Sequence, residues 1–312
     1  MSAPIFNKIA ILGIGLLGSS VAHAVRAYGG TEACALWDVS GDVRQRADKI
    51  FPGQVTDTAE AAVTGADCVM ICTPLGALAD LTAHIAPHLA SGAILTDVGS
   101  VKAKAADDMR AHCPDGVHLI PGHPIAGTEK SGPDSGFASL FQEAWHILTP
   151  FGDQTEAYAA AVARLTDFWL GLGAKVETMD PVRHDRVLAI TSHLPHLIAY
   201  NIVSTAYDME SVEQGEVVKY SAGGFRDFTR IAASDPTMWR DVFLTNKDAV
   251  LETLGRFSED LAVLQRAIRW GDGETLMKEF ERARGIRKAI IDAGLDTPEA
   301  DFGRRQIDPD SE

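Results

Sequence analysis

Apolar residues along this chain come in two rhythms, and the change between them divides the molecule. Residues 8–12 read Lys-Ile-Ala-Ile-Leu, a short apolar run suited to a strand buried on both faces. Comparable runs lie at 33–37, 68–73, 93–98, 117–121 and 144–148, with helical or turn-forming stretches between them. Alternation of this kind predicts a doubly wound, mostly parallel α/β sheet. Beyond Thr155 the spacing becomes helical. Residues 155–172 are amphipathic and close on Gly171 and Gly173, and 175–179 form a brief extended piece. Asp180 then offers an N-cap with Pro181 at the first helical position, opening a long helix towards Asp208. Helices are expected again near 236–269 and 275–293. The predicted organisation is an α/β domain over 1–152, a helical domain over 153–296 and a polar tail over 297–312.

The first strand leads directly into Gly13-Ile14-Gly15-Leu16-Leu17-Gly18, and a helical pattern follows from Ser19. In such a turn the first glycine makes the bend, the second admits a pyrophosphate, and the third lets helix and strand pack closely. The second strand ends in Asp38, 20 residues after Gly18, where a carboxylate would grip a ribose 2′-hydroxyl. These features predict a dinucleotide site built from Gly13, Gly15, Leu16, Leu17, Gly18 and Asp38, with Thr73 and Pro74 beside it at the end of the third strand. Asp38 would repel a 2′-phosphate, so NAD is expected and NADP stays possible. Arg44 and Arg46 weaken that preference unless they form a solvated helix face, which is the reading favoured here.

Composition narrows the function classes. With 312 residues and 46% hydrophobic content the chain suits two packed domains. No apolar run is expected to cross a bilayer, and no basic segment leads into an apolar signal core, so a cytoplasmic protein is predicted. Four cysteines without a C-x-x-C pair read as reduced thiols, and no metal is expected. A net charge of −15 opposes binding to nucleic acid or anionic membranes. An anionic substrate would need a local cluster of positive charge.

Three groups of residues carry candidate chemistry. Ser100 and His123 both follow strand ends, where ligands of open α/β sheets bind. His123 lies in Gly122-His123-Pro124-Ile125-Ala126-Gly127-Thr128-Glu129-Lys130-Ser131-Gly132-Pro133, and its glycine and proline neighbours are expected to hold it outside helix or strand. There it can serve as a general base. Ser100 can orient a hydroxyl or cap a helix beginning at Val101. Lys102 reads as a surface residue of a first helical turn. The second group is Ser192-His193-Leu194-Pro195-His196, in which His193, His196 and Tyr200 share one helix face and Pro195 should kink the helix. The third is Gly223-Gly224-Phe225-Arg226-Asp227-Phe228-Thr229-Arg230, followed by a segment from Asp235 to Asp241 that holds Trp239. Its arginines could clamp a carboxylate or pair internally with Asp227 or Asp241.

Together these motifs, with Asp97-Val98-Gly99-Ser100-Val101-Lys102, resemble the prephenate/arogenate (cyclohexadienyl) dehydrogenases of tyrosine biosynthesis, over nearly the whole chain. The resemblance implies a Rossmann domain followed by an all-α domain that forms a homodimer. It implies NAD-dependent oxidation with loss of carbon dioxide, giving 4-hydroxyphenylpyruvate from prephenate or tyrosine from arogenate. Under it, His123 accepts the ring-hydroxyl proton and Ser100 orients that hydroxyl. Arg230 holds the ring carboxylate, and His193 and His196 contact the substrate side chain. Thr128 joins the substrate site, and Glu129, Asp227 and Trp239 form a gate. A fused chorismate mutase and a separate regulatory domain are expected to be absent. Two alternatives stay open: another hydroxy-acid dehydrogenase of the same architecture, and a non-catalytic NAD-sensing protein.

Overall fold

The computed structural model describes residues 4–128, 130–152, 155–210 and 223–292. Five strands form a parallel sheet in the order β2-β1-β3-β4-β5: β1 (Phe6–Leu12), β2 (Thr31–Trp37), β3 (Cys68–Ile71), β4 (Ile94–Asp97) and β5 (His118–Leu119). The strand order reverses at β1, so the crevice between β1 and β3 is the switch point where such sheets bind ligands. Successive side chains of β1 point to opposite faces. Ile9 and Ile11 join a cluster with Val21, Phe51, Phe168 and Trp169, while Ala10 and Leu12 join one with Val63, Val69, Leu95 and Met109. Burial on both faces is why the strand reads as an unbroken apolar run.

Helices α1 (Leu16–Tyr28), α2 (Gly41–Ile50), α3 (Ala59–Val63), α4 (Leu78–Ile85) and α5 (Ala103–Arg110) alternate with these strands. Side-chain caps start two of them: Ser40 Oγ accepts from Val43 N, and Thr58 Oγ1 from Ala61 N. A second sheet follows, in the order β6 (Gly122–Pro124), β7 (Trp145–Leu148), β8 (Lys175–Thr178). Between β7 and β8 runs α6 (Glu156–Gly171), capped by Thr155. It inserts Phe168 and Trp169 into the first cluster, with Phe168 edge-on to Phe6 at 5.5 Å. Burying each such ring contributes about 1.5–3 kcal/mol. Strand and helix therefore continue as α/β layers past residue 152.

Helix α7 (Pro181–Leu188) starts at the expected cap, where Asp180 Oδ1 accepts from Arg183 N. A π-helical turn, Ala189–His193, joins it to α8 (Leu194–Glu210). The inserted turn, with Pro195 as the second residue of the helix that follows, takes the place of a simple proline kink. Contrary to the expectation from sequence, one stretch, Pro181–Met209, is long and apolar enough by length and composition to cross a membrane. It also buries His184, Asp185 and His193. Next come α9 (Gly223–Thr229) and α10 (Pro236–Thr245), the latter capped by Asp235. Residues up to Thr253 form one compact unit, and those from Leu254 form another. Helix α11 (Lys247–Trp270) begins in the first, and α12 (Gly273–Asp292) lies in the second. That second unit exposes Leu261, Ile268, Met277, Phe280 and Ile286, and Trp270 is 76% exposed. The tail expected over 297–312 falls outside the described residues.

Candidate active site

The turn after β1 is fixed by steric exclusion. Gly13 has φ +100°, and a Cβ there would lie 2.7 Å from the Cys72 carbonyl carbon. A Cβ on Gly18 would meet the Gly13 oxygen at 2.0 Å. Gly15, by contrast, faces open space, with nothing within 4 Å of its Cβ position. It is also the N-cap of α1 and supplies no side-chain cap, so the first amides of that helix lack a side-chain partner. These are the properties of a pyrophosphate cradle at a helix N-terminus. Leu16 and Leu17 open the helix, and Thr73 and Pro74 follow β3 across the crevice. Thr73 Oγ1 is buried there without a hydrogen-bond partner. Asp38 closes the far side: Oδ2 accepts from Ile14 N at 2.8 Å and Oδ1 from Ser40 N at 2.9 Å. Two further acceptor positions of that carboxylate remain for a ribose hydroxyl. The residues fit a dinucleotide.

Arg44 departs from its expected place on a solvated face. It is half-buried, and its guanidinium donates to the Asp38 carbonyl at 2.6 Å. Its carbonyl partner keeps positive charge beside the ribose position. Arg46 does stand at the surface, paired with Asp134. That pair helps pin the loop after Gly132 to helices α1 and α2. So does Gly136, whose Cβ position lies 2.2 Å from Ser19 Oγ.

His123 belongs to a strand, not to an irregular loop. It pairs with Ile147 in the antiparallel ladder of β6 and β7. The expectation failed because β6 is an edge strand, where Pro124 and its missing N–H are tolerated. The His123 ring is buried, and its Nδ1 lies 2.9 Å from His184 Nε2. His184 Nδ1 in turn lies 2.8 Å from Asp185 Oδ1. Asp185 also accepts from Lys102 N at 2.7 Å and Ala103 N at 2.9 Å. It thereby caps α5, a role the sequence offered to Ser100. Burial, then the neighbouring His184, Lys102, His146 and His193, hold the His123 pKa well below its usual value.

Lys102 is the clearest correction. Its side chain is 0% exposed and ion-paired with Asp97 at 2.5 Å, and it donates to the Gly122 carbonyl at 2.7 Å. The residue stands at the N-cap of α5, and from there its side chain turns inward to the end of β4. Burial lowers its pKa against the pull of Asp97. Asp97 Oδ1 accepts from Gly122 N at 3.2 Å, so the Asp97–Lys102 pair holds both backbone groups of the residue before His123.

The helical wall supplies His193, His196 and Trp239. His193 is fully buried, with Nδ1 3.1 Å from Asn246 Nδ2, and Asn246 also donates to the Asp185 carbonyl at 2.9 Å. Desolvation pushes its pKa down to about 4, although the backbone of Ser100 favours its protonated form. His196 stacks on Trp239 at 3.7 Å, and Tyr200 packs against the same cluster. The three-residue face expected from their spacing is present. Trp239 Nε1 is buried without a hydrogen-bond partner. Arg230 begins the turn after α9 and is near enough to depress the His196 pKa, after desolvation as the main cause. Asp227 is exposed on α9. Asp241 pairs with Arg240, at 2.6 Å. Thr128 is half-buried beyond β6, and Glu129 lies outside the described residues. The structure thus brings His123, Ser100, His193, His196, Trp239 and Arg230 into one connected region.

Sequence reasoning missed His184, Asp185 and Asn246. A His-Asp pair inside a predicted amphipathic helix was the available signal, but nothing local says that it faces a histidine 61 positions earlier.

Residues 21–178 match the family model described as "Prephenate dehydrogenase, nucleotide-binding domain", and 180–282 match "Prephenate dehydrogenase, dimerization domain". A cyclohexadienyl dehydrogenase of Zymomonas mobilis is 41% identical over 92% of this chain and 97% of its own length. A prephenate dehydrogenase of Bacillus subtilis is 33% identical, over 91% of this chain and 76% of its own. Among solved structures, the Aquifex aeolicus prephenate dehydrogenase, crystallised with hydroxyphenyl propionate and NAD+, superposes with a TM-score of 0.82. It is 33% identical and covers 91% of this chain and 98% of that one.

Proposed function

The chain belongs to the prephenate dehydrogenase family, and from that premise we propose how its residues divide the catalytic work. It is an NAD-dependent oxidoreductase that oxidises prephenate or arogenate with loss of carbon dioxide in tyrosine synthesis. The observation that carries our assignment is a buried, neutral His123 next to Gly122, which Asp97 and Lys102 hold at the carboxyl end of β4. Its depressed pKa leaves a free lone pair at neutral pH, as a general base requires. Ser100 orients the ring hydroxyl and His123 takes its proton. NAD held at the glycine turn would supply the hydride acceptor for the carbon bearing that hydroxyl. Departure of the ring carboxylate as carbon dioxide makes the ring aromatic. His123 then returns its proton to the phenolate oxygen, so protons balance.

Arg230 holds the ring carboxylate, and His193 and His196 hold the side chain of the substrate. The unpartnered Nε1 of Trp239 supports placing polar substrate atoms against this wall. Thr128, Glu129, Asp227 and Trp239 complete the entrance. Gly13, Gly15, Leu16, Leu17, Gly18, Asp38, Thr73 and Pro74 hold NAD, with NADP the weaker cofactor. Exposed apolar residues on α11 and α12 support a homodimer built by the helical region. The same explanation serves the apolar face of Pro181–Met209, and we propose neither a membrane nor a nucleic-acid partner. Four free cysteines fit a cytoplasmic location. Pairing of β8 with β7 supports carrying the nucleotide-binding part from residue 152 on to Thr178. The helical part follows to 296, and the tail over 297–312 has no assigned role.

The test is an assay of prephenate and arogenate, each with NAD and with NADP, following reduced nicotinamide and released carbon dioxide. Turnover with NAD on at least one substrate is expected. Binding of NADH without turnover on either would favour a sensor, and turnover only on other hydroxy acids would favour the other dehydrogenase class.

A further inference from the structure

Below His123 lies a chain of buried polar groups that the assignment above does not use. Each of its links is at hydrogen-bonding distance. His123 Nδ1 meets His184 Nε2 at 2.9 Å, and His184 Nδ1 meets Asp185 Oδ1 at 2.8 Å. His184 is 0% exposed, and Asp185 is buried. The two residues come from α7, while His123 comes from β6, so two elements meet through these bonds. Asp185 is itself fixed by the backbone amides of Lys102 and Ala103, and its carbonyl by Asn246.

The proton positions follow from the ends of the chain. A carboxylate only accepts, so the nitrogen of His184 facing Asp185 carries a hydrogen. A neutral His184 therefore presents a lone pair at Nε2. That lone pair can be satisfied only if His123 donates from Nδ1. His123 is then left with its lone pair on Nε2, the nitrogen not engaged by His184. In the opposite tautomer two lone pairs would face each other at 2.9 Å in a buried site.

We propose that His184 and Asp185 are positioning residues that hold His123 as the Nδ1–H tautomer, with Nε2 aimed and free to take the substrate proton. This rests on the assignment of His123 as the base. The pair also fixes the ring plane, because rotation about the His123 side chain would break the Nδ1 bond. When His123 holds the proton, His184 Nε2 still accepts from Nδ1–H, so the same bond serves both states of the base. The logic is that of a nucleophile–base–orienting-group chain, applied to a dehydrogenase.

Nitrogen-15 shifts of selectively labelled histidine rings in the full-length native enzyme give the most direct reading, with His123→Asn identifying the His123 signals. Above pH 7 the expected pattern is a protonated Nδ1 and an unprotonated Nε2. The reverse pattern overturns the proposal. Kinetics supply the second arm. His184→Phe removes the acceptor and should lower kcat roughly 10²-fold while KM and NADH affinity stay within about threefold. His184→Gln keeps an acceptor facing Nδ1 and should recover most of that loss, a rescue that a merely space-filling residue would not show. Native kcat in His184→Phe overturns the proposal, and so does equal loss in both variants with native folding. If His184→Phe does not fold, the shift pattern of the native enzyme still decides. A His123→Asn variant with near-native turnover would instead remove the base assignment itself, whatever the His184 variants do.

Discussion

The glycine turn after β1 and the histidine network under β6 are both rigid, by opposite means. The turn is rigid because nothing else fits: Cβ positions on Gly13 and Gly18 fall 2.7 and 2.0 Å from backbone atoms. The network is rigid because every link has a partner, from Asn246 and the α5 amides through Asp185 and His184 to His123. Exclusion works over six residues and yields a binding surface made of backbone. Hydrogen bonding joins residues far apart in sequence and yields a single aimed side chain. The first arrangement suits a cofactor recognised by its phosphates, and the second suits proton transfer.

Substitutions in the turn should break the comparison most strongly. Gly18→Ala should unfold the turn and abolish measurable NADH binding, with a lower melting temperature. Gly15→Ala puts its Cβ into open space, so the fold should survive while NAD affinity falls roughly 10²-fold, by the loss of close backbone approach. Calorimetric titration with NADH beside a thermal melt reads both. Equal loss of stability in the two variants would erase the distinction between exclusion and approach.

This contrast also explains what could be read from the sequence. Only glycine fits at Gly13 and Gly18, so the turn announces itself there, and Gly15 marks its open face. Asp38 was legible for the same reason, being fixed by strand length. The cap at Asp180 was legible because capping is local. His123 was not legible as a strand residue, because β6 has three residues and ends in proline. Lys102 was misread because its partner Asp97 and the Gly122 carbonyl meet it only in the folded sheet. His184 and Asp185 gave no spacing signal at all. The π turn before Pro195 was likewise invisible, since an inserted residue leaves helical composition unchanged.

Next in size is the substrate side. Arg230→Ala should raise KM for the substrate roughly 30- to 700-fold, corresponding to about 2–4 kcal/mol for a lost charge-assisted contact, with NADH affinity unchanged. Arg226, exposed on α9, is the control and should cost little KM. Swapped behaviour would move the carboxylate clamp to Arg226.

Asp38→Ser should weaken NAD about tenfold, the cost of one hydrogen bond to a charged group, and relieve exclusion of NADP. Arg44, held beside Asp38, makes the gain for NADP larger than charge removal alone would give. Side-by-side KM values for the two cofactors check this, and a native preference for NADP would contradict it.

The smallest effect sharpens the network side. Burial lowers the pKa of His123, His146, His184, His193 and His196, so the unfolded chain binds protons more readily than the folded one. Stability is therefore fully present above the unfolded pKa near 6.5 and declines as pH falls below it, for His193 down to about 4. His146 stacks on Trp169 at 3.9 Å, and both its ring nitrogens lack partners. His146→Phe should keep the stack and flatten the decline between pH 6 and 5 by up to about 1.4 kcal/mol per pH unit. Denaturant melts across that range read it, and an unchanged slope would show that His146 does not stay neutral.

The central claim is that His123 is the base, and turnover of His123→Asn with NAD and prephenate or arogenate tests it most directly. The side chain keeps a hydrogen bond and loses basicity. We predict a kcat lower by roughly 10²–10⁴-fold, with NADH affinity near that of the native enzyme. A variant that turns over at close to the native rate would contradict the account.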